Sequence, residues 1–186
     1  MHIWGHLKTI SHHRFLVMCG CFRVGLYRQG LTHDLSKFSP TEFCAGARYY
    51  QGTRSPNAAE REQNGYSLAW MHHKGRNRHH YEYWTDMNPK TQRYEPVEMP
   101  RRYLVEMVMD RRAACMTYQG KNYTPASPLE YFEKSRERLL MHPNTEKALA
   151  FLLQMLKEQG EKATFRYIKE EVLTGKPFPW EAVPEA

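Results

Sequence analysis

The residues best able to do chemistry are two histidines and two aspartates. His33-Asp34 is preceded by His13, twenty residues earlier, and followed much later by Asp110, giving the order His … His-Asp … Asp. Imidazole nitrogens and carboxylate oxygens suit a divalent first-row metal. Neighbouring residues on a helix point about 100° apart, so His33 and Asp34 can converge on one ion between helices. One ligand from an earlier helix and one from a later helix would complete such a site in a bundle core. Asp110 supports this independently. It shares a helical stripe with Tyr103, Met107 and Ala114 at spacings of three and four. An aspartate on an inward stripe is costly unless it is paired or bound to metal. Ala113 and Ala114 would let a neighbouring helix approach closely there.

The elements that must carry these residues read as helices. His13 to Gly25 suits a buried helix through Phe15, Leu16, Val17, Phe22 and Val24. Ser39-Pro40-Thr41-Glu42 is a capped helix start, running to about Tyr50. A polar loop follows at 51–57, and helix resumes near Ala58 and continues towards His73. Residues 86 to 100 hold three prolines and read as irregular. Arg101 to Tyr118 is the central helix. Ser127-Pro128-Leu129-Glu130 opens another, and Asn144–Glu158 and Lys162–Leu173 supply the last two. No alternating strand pattern, repeat or low-complexity tract appears. The expected fold is all-α, a single helical domain over residues 1–176 with an extended tail over 177–186.

Composition narrows the class. The 186 residues are 41% hydrophobic and 25% charged, as in ordinary globular proteins. No apolar run approaches the ~20 residues a membrane span needs, and Met1–Thr9 has no signal-peptide character. The expected location is therefore the cytoplasm. The four cysteines show no disulfide or zinc spacing and read as reduced thiols. The net charge of +7 points to an anionic partner without naming it. His2, His6, His12 and His142 read as structural or surface residues.

His13, His33-Asp34 and Asp110 resemble the four-ligand signature of the HD-domain superfamily of metal-dependent phosphohydrolases. Leu35-Ser36-Lys37 is similar to the small residue and lysine that follow the His-Asp pair there. More narrowly, the stretches from Gly30 to Phe43 and from His72 to His80 resemble an uncharacterised bacterial and phage family, over about residues 7 to 175. The wider resemblance implies an HD-like bundle and selects His13 over His12. Some HD-domain enzymes add histidines that bind a second metal, with the motif aspartate bridging both ions. His72-His73 and His79-His80, which bracket a turn containing Gly75 and Asn77, could fill that role through one residue of each pair, or could contact substrate phosphate. They stand closer together than the family's usual extra ligands. Glu42 and Glu82 lie near these motifs as candidate partners of the ligands.

The expected activity is metal-dependent hydrolysis of a phosphoester, nucleotides among the candidates. His13, His33, Asp34 and Asp110 would hold one ion (Mn, Fe, Co, Ni, Zn or Mg), and the histidine cluster a second. Asp34, Lys37, His73 and His80 are the candidate catalytic residues. Lys37, Lys74, Arg76, Asn77, Arg78 and Arg111 are candidates for binding a small phosphorylated substrate; guanidinium groups can do so in bidentate fashion. Two other readings remain: an HD-type di-iron oxygenase, and a basic helical protein binding nucleic acid or protein, with the metal structural or absent.

Overall fold

The computed structural model describes residues 1–181. Eight α-helices dominate them: α1 (Ile3–Arg23), α2 (Tyr27–Thr32), α3 (Pro40–Tyr49), α4 (Pro56–Asn64), α5 (Leu68–Lys74), α6 (Arg101–Gln119), α7 (Ser127–Glu133) and α8 (Pro143–Tyr167). The fold is mostly helical, as the periodicity predicts. One departure is a small antiparallel hairpin, β1 (Thr85–Asn88) and β2 (Arg93–Pro96), which pairs Thr85 with Pro96 and Asn88 with Arg93. It lies in the proline-bearing stretch expected to be irregular. Four-residue strands are too short to show an alternating pattern, and Asn88 Oδ1 accepts the backbone N–H of Lys90 in the connecting turn.

Helix α6 is the axis of the core. Leu104, Val105, Val108 and Met109 are buried against Val17 and Cys21 of α1 and Leu149, Leu152 and Leu153 of α8. On α1 the buried residues are His6, Ile10, His13, Val17, Gly20 and Cys21, the i, i+3, i+4 stripe of a helix that packs on one side. Phe15 and Phe22, expected in the core, fall on the outer side, with Phe15 56% exposed. Their hydrophobicity was readable; the register of the stripe was set by the helix that α1 meets.

Three expected boundaries shift. The helix expected from Ala58 to His73 is two helices, because Gly65 closes α4 at φ 80° and Ser67 caps α5 by accepting the Trp70 N–H. The last two expected helices are joined across a kink at Gly160 (φ 73°, ψ 178°), and residues 168–172 form a π-helical turn. Residues 177–181 do not extend. Phe178 is buried and stacked on Trp180, and Glu181 accepts a hydrogen bond from Arg101. The remainder of the expected tail, 182–186, lies outside the described residues. Among the described residues no helix is long and apolar enough to cross a membrane.

Helix α3 sits against α1 because Gly46 has no side chain. A Cβ there would overlap the buried His6 ring. Gly46→Ala is therefore expected to destabilise the protein by about 1–3 kcal/mol through overpacking. Denaturant unfolding of G46A should show this loss, and G46A combined with His6→Ala should recover part of it.

Candidate metal centre

His33 and Asp34 are not helical neighbours, contrary to expectation. His33 ends α2 with φ −52° and ψ 127°, and Asp34 takes the left-handed conformation at φ 54° and ψ 25° before a short 3-10 turn, Leu35–Phe38. Non-glycine residues adopt that conformation at a cost, and asparagine and aspartate most readily. It carries the Asp34 side chain inwards, where it is fully buried. Arg14 fixes the approach by donating to the carbonyls of His33 (2.8 Å) and Leu31 (3.1 Å).

Around Asp34 the donors form two sets. His13, His33, Asp34 and Asp110 make the first; Asp34, His73, His79 and His80 make the second. Asp34 belongs to both and turns one oxygen to each. Its Oδ2 lies 3.7 Å from His13 Nε2 and 3.4 Å from His33 Nε2. Its Oδ1 lies 3.3 Å from His73 Nε2 and 3.4 Å from His79 Nε2. Asp110 Oδ1 lies 3.0 Å from His13 Nε2 and 3.5 Å from His33 Nε2. Lys37 holds Oδ2 of Asp34, while the Nε2 atoms of His13, His33, His79 and His80 and Oδ1 of Asp34 are buried without a hydrogen bond. Buried polar atoms are seldom left so. Five of them facing a common interior in an imidazole–carboxylate set fit a divalent cation, so either set could hold one.

Carboxylates behind the histidines orient them. Glu106 Oε1 receives His33 Nδ1 at 2.9 Å and His79 Nδ1 at 3.1 Å. Glu42 Oε2 receives His73 Nδ1 at 2.7 Å and Oε1 receives His72 Nδ1 at 2.6 Å. A carboxylate oxygen only accepts, so His33, His73 and His79 carry their protons on Nδ1. Each therefore leaves Nε2 as the atom that faces the interior and can coordinate when the ring is neutral. Glu106 was not among the sequence candidates. A glutamate on a helix ordinarily reads as surface charge, but it stands one turn before Asp110 on the same face, and that spacing was the available signal. Glu82, the other glutamate near the motifs, lines the cleft and leaves Oε2 buried and unpartnered.

The cluster's electrostatics follow from burial against charge. Burial alone would raise the Asp34 carboxyl, but His33, Lys37, His73 and His79 hold it well below the usual range. Asp110 is opposed in the same way by burial and held down by His13 and His33. Burial disfavours a charged His33, yet Asp34, Asp110 and Glu106 together push it up to about 10. His13 is lowered by burial and by Lys37, and His80 by burial and by the neighbouring His79 and His73. Lys37 Nζ stands 2.6 Å from Asp34 Oδ2.

A cleft of about 650 Å³ opens onto the cluster, lined by His13, His73, His80 and Asp110 with Lys37 and Arg111 beside them and Trp70, Tyr81, Tyr118 and Tyr131 on the walls. The Nε of Arg111 is buried and makes no hydrogen bond. Several sequence candidates are directed elsewhere. His72 is in neither donor set; its Nδ1 is bound to Glu42, and Glu42 separates it from the interior. Lys74, Arg76 and Arg78 do not line the cleft. Arg76 donates back to the His72 carbonyl, and Arg78 donates to Tyr103 and lies over the Tyr83 and Tyr103 rings. Asn77 is a brace, donating 2.8 Å bonds to Ser36 Oγ and the His73 carbonyl. These bonds tie the turn from Gly75 to His80, which carries His79 and His80, back to α5 and to Ser36.

No curated protein and no solved structure is significantly similar to the chain. A family model described as a family of unknown function (DUF5662) matches residues 2–155, a span that includes both donor sets, Glu42 and Glu106. The chain therefore belongs to the DUF5662 family.

Proposed function

We propose that the protein is a metal-dependent phosphohydrolase of HD-domain type, in which the two donor sets that share Asp34 would hold two divalent ions. The observation that carries this reading is the pair of donor sets that share one buried aspartate and reach, through His13, His73, His80 and Asp110, a cleft that also holds Lys37 and Arg111. Bound metal would supply hydroxide at neutral pH and draw charge from a phosphoryl group. The protein's own groups do the remaining work. Lys37 and Arg111 neutralise phosphoryl oxygens, Arg111 through a guanidinium whose Nε has no internal partner. His80, held neutral by burial, completes the second donor set. The aromatic walls exclude water and hold the leaving group, and Glu82 Oε2 offers it an acceptor.

The close spacing of the two histidine pairs does not prevent convergence, since His73, His79 and His80 share one donor set. That arrangement also suits a di-iron oxygenase. Two cationic groups beside the donors, Lys37 paired with Asp34 and Arg111 with its Nε free of hydrogen bonds, favour a phosphate substrate over an oxygenase substrate. Protein loaded with Mn²⁺, Co²⁺, Fe²⁺ or Mg²⁺ should release phosphate from a panel of phosphoesters. Bound iron with a mixed-valent EPR signal and no phosphate release would instead favour the oxygenase.

Arg111→Met should lower kcat/KM for the phosphoester by about 10- to 150-fold, the value of a charge-assisted hydrogen bond worth about 1.5–3 kcal/mol. Metal content should stay unchanged. A variant that loses metal instead would remove Arg111 from substrate binding.

A further inference from the structure

We infer that Glu106 is a positioning residue that couples the two metal sites, so that they fill together. This rests on the two-ion reading above. The geometry is a closed ring. Asp34 joins the sites on the inner side, one oxygen to each. Glu106 joins them from behind, with a single oxygen, Oε1, bound to His33 of the first set at 2.9 Å and to His79 of the second at 3.1 Å. The two imidazoles lie with centroids 4.3 Å apart. Glu106 is itself buried.

A shared acceptor ties two rotamers and two tautomers to one side chain. A cation on His33 Nε2 withdraws charge from that ring and strengthens its Nδ1–H bond to Glu106. Glu106 is then fixed where His79 needs it, and the His79 lone pair is fixed towards the second site. The ordering of Glu106 and of both rings is thus met once, at the first binding event, and the second ion binds to a site already set. Glu42 differs: of the donors it holds only His73, so its influence is confined to the second site.

The test is native mass spectrometry of chelated protein titrated with Mn²⁺, supported by EPR of the bound ions. At half-saturation the wild type should show mainly metal-free and two-metal protein, with an exchange-coupled EPR signal. Glu106→Gln preserves shape and removes the charge. It should weaken both binding steps by about 10- to 100-fold, the usual effect of losing a group that orients metal ligands, and should make the one-metal species dominant at half-saturation. Glu42→Gln should weaken the second step alone. Circular dichroism at the titration temperature checks that each variant is folded; an unfolded E106Q is replaced by Glu106→Asp, whose shorter reach cannot serve both imidazoles and predicts the same loss of coupling. Wild type that takes up two ions while E106Q retains the two-metal pattern, or weakens only one step, overturns the coupling and leaves the hydrolase reading standing. Wild type that takes up no metal overturns both.

Discussion

Asp34→Asn is expected to abolish metal uptake at both sites and to lower phosphoester hydrolysis by about three orders of magnitude or more, since metal charge stabilisation is worth several kcal/mol and each 1.36 kcal/mol is tenfold in rate. The choice of asparagine matters. Position 34 holds φ 54°, which asparagine tolerates and alanine does not, so D34N tests the charge and not the backbone. The substitution replaces the carboxylate that belongs to both donor sets with a neutral amide. It also leaves Lys37 beside a group that no longer balances it. Elemental analysis of purified D34N should find no stoichiometric metal, and steady-state assays should find background activity. A folded D34N that retains two ions would remove Asp34 as the bridge.

The second large effect is on stability. A ligand that binds only the folded state at about 1,000 times its Kd stabilises by about 4 kcal/mol, and a domain of this size gains about 2–4 °C in Tm per kcal/mol. Saturating Mn²⁺ should therefore raise the Tm of chelated protein by at least ~8 °C. Without metal, the positive charge that Asp34, Asp110 and Glu106 demand is met by His33 together with Lys37. Its folded pKa is raised from 6.5 to about 10, so the stability it confers is fully present below 6.5 and is lost as pH rises to about 10. Asp34 and Asp110 have lowered values; their contribution is present above the ordinary carboxylate range and is lost in acid. Chelated protein should thus lose Tm between pH 6.5 and 10. Metal-loaded protein should not, because the cation replaces the proton. Thermal melts across that range with and without chelator decide the matter; parallel curves would contradict it.

The sequence disclosed much of this. The order of His13, His33-Asp34 and Asp110 was readable because imidazole and carboxylate side chains are chemically distinctive and a helical stripe can be counted. The capped start at Ser39 was readable because its hydrogen bond, Glu42 N–H to Ser39 Oγ, is local. Helical class followed from periodicity, whereas the hairpin at 85–96 was too short to leave a pattern.

Other features depended on long-range packing. Choosing among His72, His73, His79 and His80 required the direction in which α5 faces α3, which is fixed when Glu42 takes both His72 and His73. Lys74, Arg76 and Arg78 stood next to candidate ligands in sequence yet do not line the cleft, and the turn that carries Arg76 and Arg78 is braced by Asn77. Glu106 looked like ordinary helical charge until α6 was buried against the histidines. The sequence by itself determined the candidate donors and their order, since these depend on residue type and spacing along the chain. Tertiary structure alone decided the sharing of Asp34 between two donor sets and of Glu106 between two histidines. Each is a meeting of side chains from segments far apart in sequence, and burial against the α1–α6–α8 core sets where those segments meet.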